Sequence, residues 1–158
     1  MKKELMMLML PFIISIVLIF AVEISSLKKD TQTSSTKTSV EGQELFVLNN
    51  NERTESLSWS DCLSSLAVGR SKDMVERDYF SHEDPETGSV ETWDKIVESC
   101  GQYTVAGENI VMRFSDYQEA HRALMGSKLH RKNILDDRFT EMGVGCYGNI
   151  CTELFGNF

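Results

Sequence analysis

Apolar positions fall into two regimes along this chain. From Leu5 to Val22 they are continuous, 18 residues without a charge and interrupted only by Pro11 and Ser15. That run exceeds the roughly 7 to 15 residues of a signal-peptide core and reaches the roughly 17 to 25 that span a bilayer. No small-residue cleavage site follows in A-V-E-I-S-S, so residues 1–27 are expected to form a signal-anchor, with a cleaved signal peptide as the alternative. Residues 28–42 then read K-K-D-T-Q-T-S-S-T-K-T-S-V-E-G, too polar to offset the entropy of ordering. A flexible tether is expected there.

From residue 43 onward the apolar positions become periodic. Leu45, Phe46 and Leu48 ahead of N-N-N-E-R predict a first helix that closes before Leu57 and Trp59. Ser60 is placed to cap a second helix from Asp61 to about Arg77, with Leu63, Leu66, Ala67, Arg70 and Met74 recurring at helical spacing as a core stripe. Trp93, Ile96 and Val97 mark a third helix, ended by Cys100 and a capping Gly101. Ser115-x-x-Gln118 reads as a capping box that opens a fourth helix to about Leu124. The period then shortens: 142–147 and 150–155 flank Gly148-Asn149, the signature of a β-hairpin.

Composition narrows the setting. Four cysteines follow an export-type segment, which points to disulfides in an oxidising compartment and places the C-terminal part outside the cell membrane. Three pairings are possible. The hairpin favours Cys146 with Cys151, leaving Cys62 with Cys100 to staple the second helix to the third. A formal charge of −8 argues against nucleic acid, which requires a basic face. Arg122, Lys128, Arg131, Lys132 and Arg138 do cluster. They are read as a solvated surface, with an anionic headgroup or wall polymer as the alternative contact.

The candidate chemistry lies in three short runs. Y-F-S-H-E-D-P-E-T-G contains His82, A-G-E-N-I contains Glu108 in an apolar frame, and S-K-L-H-R-K-N-I-L contains His130. Two imidazoles and a carboxylate can hold a metal or share a proton, but they lie too far apart in sequence for local geometry to force convergence as H-E-x-x-H does. Asn109 is expected to fix its loop by side-chain hydrogen bonds. Glu153 alternates with Cys151 and Phe155, facing cleft or solvent, and His121 is expected on a helix surface.

Together with F-T-E-M-G-V-G at 139–145 and the terminal C-T-E-L-F-G, these blocks resemble the CAP superfamily, also called SCP-like, in its compact prokaryotic branch. The resemblance spans residues 43–158 in the right order. It implies an α+β domain, a three-layer α-β-α sandwich around a small antiparallel sheet. It also implies a cleft in which His82 and His130 take a divalent ion such as zinc, with acidic residues around it. Animal and plant members carry a further glutamate where this chain has Ser127, in L-M-G-S at 124–127; Glu141 is the nearest substitute. The implied function is an extracellular, membrane-tethered module that binds a lipid, peptide or cell-wall ligand. The alternatives are a zinc-dependent hydrolase with Glu108 as general base, and a disulfide-stabilised structural domain.

Overall fold

A computed structural model describes residues 42–158. The signal-anchor expected over 1–27 lies outside the described residues, as does the tether up to residue 41. No helix among the described residues is long and apolar enough to cross a membrane.

The described chain runs α1 (42–51), β1 (Ser58–Trp59), α2 (Asp61–Glu76), α3 (Thr92–Cys100), β2 (Val105–Met112), α4 (Tyr117–Gly126), α5 (Lys128–Ile134), β3 (Glu141–Tyr147) and β4 (Ile150–Asn157). The sheet order is β1-β3-β4-β2. β2, β4 and β3 pair antiparallel, and the two-residue β1 adds parallel to β3. Alternation along the strands separates the layers. Met142, Val144, Cys151 and Phe155 face Leu45 of α1, Ala120 and Leu124 of α4, and Ile134 of α5. On the opposite face Leu154 packs with Leu63 and Ala67 of α2 and Ile96 of α3, while Ile110 and Ile150 meet Met74. The expected α-β-α sandwich is present.

Two glycines bring α2 onto the sheet. A Cβ on Gly143 would lie 2.1 Å from the Ser64 nitrogen, and one on Gly145 would lie 2.1 Å from the Val68 nitrogen. Ser64 and Ser71 exploit that contact by donating to the carbonyls of Val144 and Gly145, each at 2.8 Å. Because the obstacle is helix backbone, Gly145→Ala is expected to lower stability by about 2 kcal/mol by forcing α2 away. Urea unfolding measures this, and an unchanged midpoint would show that the layer spacing is soft.

The expected hairpin pairs Cys146 with Cys151 in register and bridges them; Cys62 and Cys100 form the second disulfide. Gly101 adopts a φ of 106° at the end of α3. Two helix starts differ from expectation. Ser60 occupies the cap position of α2 without a side-chain cap bond. The box at α4 is shifted by one residue: Asp116 accepts from the Glu119 amide at 2.7 Å, and Glu119 accepts from the Ser115 amide at 2.7 Å.

Candidate functional site

The site forms where the two helical layers meet the sheet edge at β2. Along β2, Glu108 stands opposite Leu154 on the α2 face, and Asn109 stands opposite Glu153 on the α1–α4–α5 face. Gly107 permits the approach of the second layer, since a Cβ there would lie 2.8 Å from the Phe139 ring. The free edge is covered by Asn133 of α5, which donates to the Glu108 carbonyl at 3.2 Å and to Asn109 Oδ1 at 2.9 Å.

Glu108 is buried, its side chain 2% exposed; two groups hydrogen-bond it and a third faces it as an ion pair. Thr92 Oγ1 donates to Oε2 at 2.9 Å, and Arg70 Nε lies 3.6 Å from the same oxygen. His82 Nδ1 lies 2.7 Å from Oε1. An ionised carboxylate only accepts, so His82 carries its proton on Nδ1 and keeps the Nε2 lone pair for another partner. Its ring is 47% exposed, so that partner can arrive from solvent.

The loop carrying His82 is held from α2. Arg70 donates to the Ser81 carbonyl at 2.6 Å and to the Tyr79 hydroxyl, which donates in turn to Asp73. Arg77 grips Asp84 at 2.5 Å, and Asp84 accepts the amides of Glu86 and Thr87 at 2.9 and 3.0 Å. These bonds hold the Asp84 carboxyl well below the usual carboxylate range, the contact with Arg77 foremost. A polar cavity of about 350 Å³ opens beside this loop between α2 and α3, lined in part by Arg70, Asp73, Arg77, Thr92 and Lys95.

His130 is half-buried on α5. Burial pushes its imidazole below the ordinary histidine value, and the repulsion that would arise if His82 and His130 were both protonated adds to the effect. It is therefore neutral at pH 7, the form that binds metals. Its backbone carbonyl accepts from Asn109 Nδ2 at 3.2 Å. Asn109 is thus a buried strand residue that fastens α5 to the sheet, where a loop residue was expected.

The remaining candidates fall outside this group. Glu141 starts β3 opposite Gly156, and among the described residues it forms no ion pair with either histidine. Ser127 occupies the junction of α4 and α5 and its side chain makes no cap bond. No three His, Cys, Asp or Glu side chains among the described residues converge as a metal-ligand set. His82 and His130 lie near enough for the protonation of one to disfavour that of the other, and Glu108 stands behind His82.

Two expectations are corrected. His121 is buried, not on the surface: its Nδ1 lies 3.0 Å from Asn49 Oδ1 and its Nε2 lies 3.4 Å from Glu52. Glu153 faces neither cleft nor solvent; it is fully buried and accepts from Asn49 at 2.8 Å and Asn109 at 3.0 Å. Arg70 and Thr92 are site residues that the sequence did not disclose. The one available signal was a charged residue inside the apolar stripe of α2.

Comparison with known proteins agrees with this architecture. The family model described as the cysteine-rich secretory protein family, CAP, matches residues 50–153. The chain is 37% identical over 136 residues to YkwD of Bacillus subtilis, covering 81% of this chain and 52% of YkwD. It is 34% identical over 99 residues to the membrane protein YlbC of the same organism, covering 63% of this chain and 28% of YlbC. The chain therefore spans about half the length of the first relative and less of the second. Among solved structures, an extracellular protein containing an SCP domain from Bacillus anthracis aligns with a TM-score of 0.68 and 32% identity, over 77% of this chain and 41% of that one. A cysteine-rich secretory protein from Staphylococcus aureus shares the fold alone, with a TM-score of 0.66, 16% identity, and coverage of 77% and 39%. With the family model covering most of the described domain and the predicted sandwich present, the chain belongs to the cysteine-rich secretory protein (CAP) family.

Proposed function

We propose that this domain works outside the cell membrane as a binding module, and that its cleft at the β2 edge takes its ligand through His82 and His130, with or without a divalent ion between them. The 2.7 Å contact from His82 Nδ1 to Glu108 carries the reading. It fixes the tautomer in which the Nε2 lone pair is free, and a buried carboxylate behind an imidazole is the usual support for a metal-binding histidine. The neutral state of His130 supplies the second nitrogen. With two protein nitrogens, zinc would retain positions for a carboxylate, carbonyl or water of the ligand. An extracellular setting accords with the two disulfides and with the Bacillus anthracis relative, which is described as extracellular. Peptide, lipid and cell-wall fragments remain the ligand classes to assay, and the N-terminal apolar run would tether the module to the membrane.

Glu108 serves here as the group that orients His82. Both of its oxygens are engaged, so the hydrolase alternative has no free general base at this position.

Calorimetric titration of the purified chain with zinc at neutral pH tests the metal form. One ion is expected to bind, and His82→Ala or His130→Ala is expected to weaken it at least about 100-fold while melting stays cooperative. Affinity should also fall on acidification, because the imidazoles must be deprotonated to bind. If the native chain takes up no zinc, the metal form is wrong, and the histidines are to be tested as direct hydrogen-bonding groups for an organic ligand.

A further inference from the structure

The outward face of α5 has no role in the cleft, and its composition is unusual for this chain. Between residues 122 and 138 there are five Lys or Arg and two Asp, in a protein of formal charge −8. Elsewhere Lys72, Arg77 and Lys95 each pair with a carboxylate. Lys128, Arg131 and Lys132 form no close ion pair among the described residues: Lys132 acts on Asp136 only through its charge, and Arg131 donates to the Met125 carbonyl at 3.1 Å, which fastens α5 to the end of α4. Asp136 is already occupied by Arg138 at 2.6 Å. Amid these cations Leu129 is 75% exposed and Leu135 is 41% exposed, while Ile134 is the helix's only buried residue. Single exposed apolar residues are common and also occur here at Val47 and Phe80, but Leu129 is the most exposed of them and stands next to three cations.

We infer that the outer face of α5 is a membrane-docking surface for anionic lipid headgroups, with Lys128, Arg131 and Lys132 at the phosphates and Leu129 dipping into the interfacial layer. Charge complementarity selects the sign of the partner, since the chain as a whole carries a formal charge of −8 while this face is rich in cations. The leucines select a bilayer over a soluble polyanion, because phosphate polymers offer exposed apolar side chains no environment better than water, whereas the interface does. His130 lies on the same short helix, between Leu129 and Arg131, so docking would hold one wall of the cleft at the membrane surface. The inference does not depend on metal in the cleft.

The test uses the full chain with vesicles of phosphatidylcholine alone or mixed with phosphatidylglycerol. The N-terminal apolar run is present with both, so the readout is local: lysine-selective chemical labelling, quantified residue by residue by mass spectrometry. Labelling of Lys128 and Lys132 is expected to fall about fivefold on the anionic vesicles, with Lys72 and Lys95 unchanged, and high salt should restore it. Leu129→Asp, a change at an exposed position, should abolish most of the protection. Equal labelling on both vesicle types overturns the inference. So does protection without vesicles, which would mean that a second copy covers the face. Equal protection by soluble polyphosphate, or by vesicles acting on Leu129→Asp as on the native chain, would remove the lipid assignment.

Discussion

Replacing Arg70 with alanine is expected to remove about 4 kcal/mol of folding stability, the usual cost of stranding one partner of a buried ion pair. Arg70 is 12% exposed and Glu108 2%, so water does not take over when the guanidinium is lost. Three further contacts go with it. Arg70 donates to the Ser81 carbonyl and the Tyr79 hydroxyl, and its guanidinium carbon stands 5.6 Å from the centre of the Tyr79 ring. Together they fix the loop that carries His82 to Glu108. Arg70→Lys should recover only part of the loss, because a point charge on a flexible stem cannot reach carboxylate, hydroxyl and carbonyl together. The decisive control is Arg70→Ala combined with Glu108→Gln. If an uncompensated buried carboxylate is the main cost, the double variant unfolds at a higher urea concentration than Arg70→Ala alone. If the two losses simply add, the contacts to the loop carry the effect. Arg77→Ala, at an exposed pair, should move the midpoint far less.

How much of this was legible in the sequence follows from where each signal is stored. The stripe of α2, the Gly148-Asn149 turn, the Gly101 cap and the Cys146–Cys151 pair were readable because each is written in nearby residues or in a fixed period, and Cys62–Cys100 followed as the remaining pair. β2 was not, for it is packed on both faces and centred on Gly107-Glu108-Asn109, so it shows neither alternation nor an apolar run. α5 is seven residues long with one buried position, below what periodicity can reveal. His121 matches no histidine of the family pattern and was expected on the surface of α4; its burial comes from α1, which brings Asn49 against it. The partnership of His82 with Glu108 depends on a sheet edge that receives residues from both layers. Motif resemblance pointed to those two residues, but Arg70 and Thr92, which secure Glu108, carry no local mark. Glu153 shows the same limit: alternation gave its face of the strand and said nothing of what covers it.

The stability of the domain is expected to fall as pH rises from about 5 to 7.5 relative to that of Glu153→Gln, by about 3 kcal/mol in total. Burial pushes the Glu153 carboxyl up to about 7 despite the amide donors of Asn49 and Asn109. In the unfolded chain it titrates near its ordinary value of about 4.3. Between those two values the folded state holds a proton that the unfolded state has released. The associated stabilisation is complete below the lower value and is lost through the upper one, at about 1.4 kcal/mol per pH unit. His130 opposes this: its basicity is depressed in the folded state, so its own contribution grows as pH rises toward the ordinary histidine value. The difference between native and Glu153→Gln chains removes that background. A neutral side chain fits here because the surrounding hydrogen bonds can reverse direction. With Asn49 turned over, its Oδ1 accepts from protonated Glu153, or from the side-chain amide that the substitution introduces. Its Nδ2 then donates to His121 Nδ1, whose Nε2 proton is left pointing at Glu52. Urea unfolding should give curves that converge below about pH 4 and separate toward pH 8, with the variant the more stable. Parallel curves would mean that Glu153 keeps its charge in the folded state, and that the two asparagines neutralise the penalty of burying it.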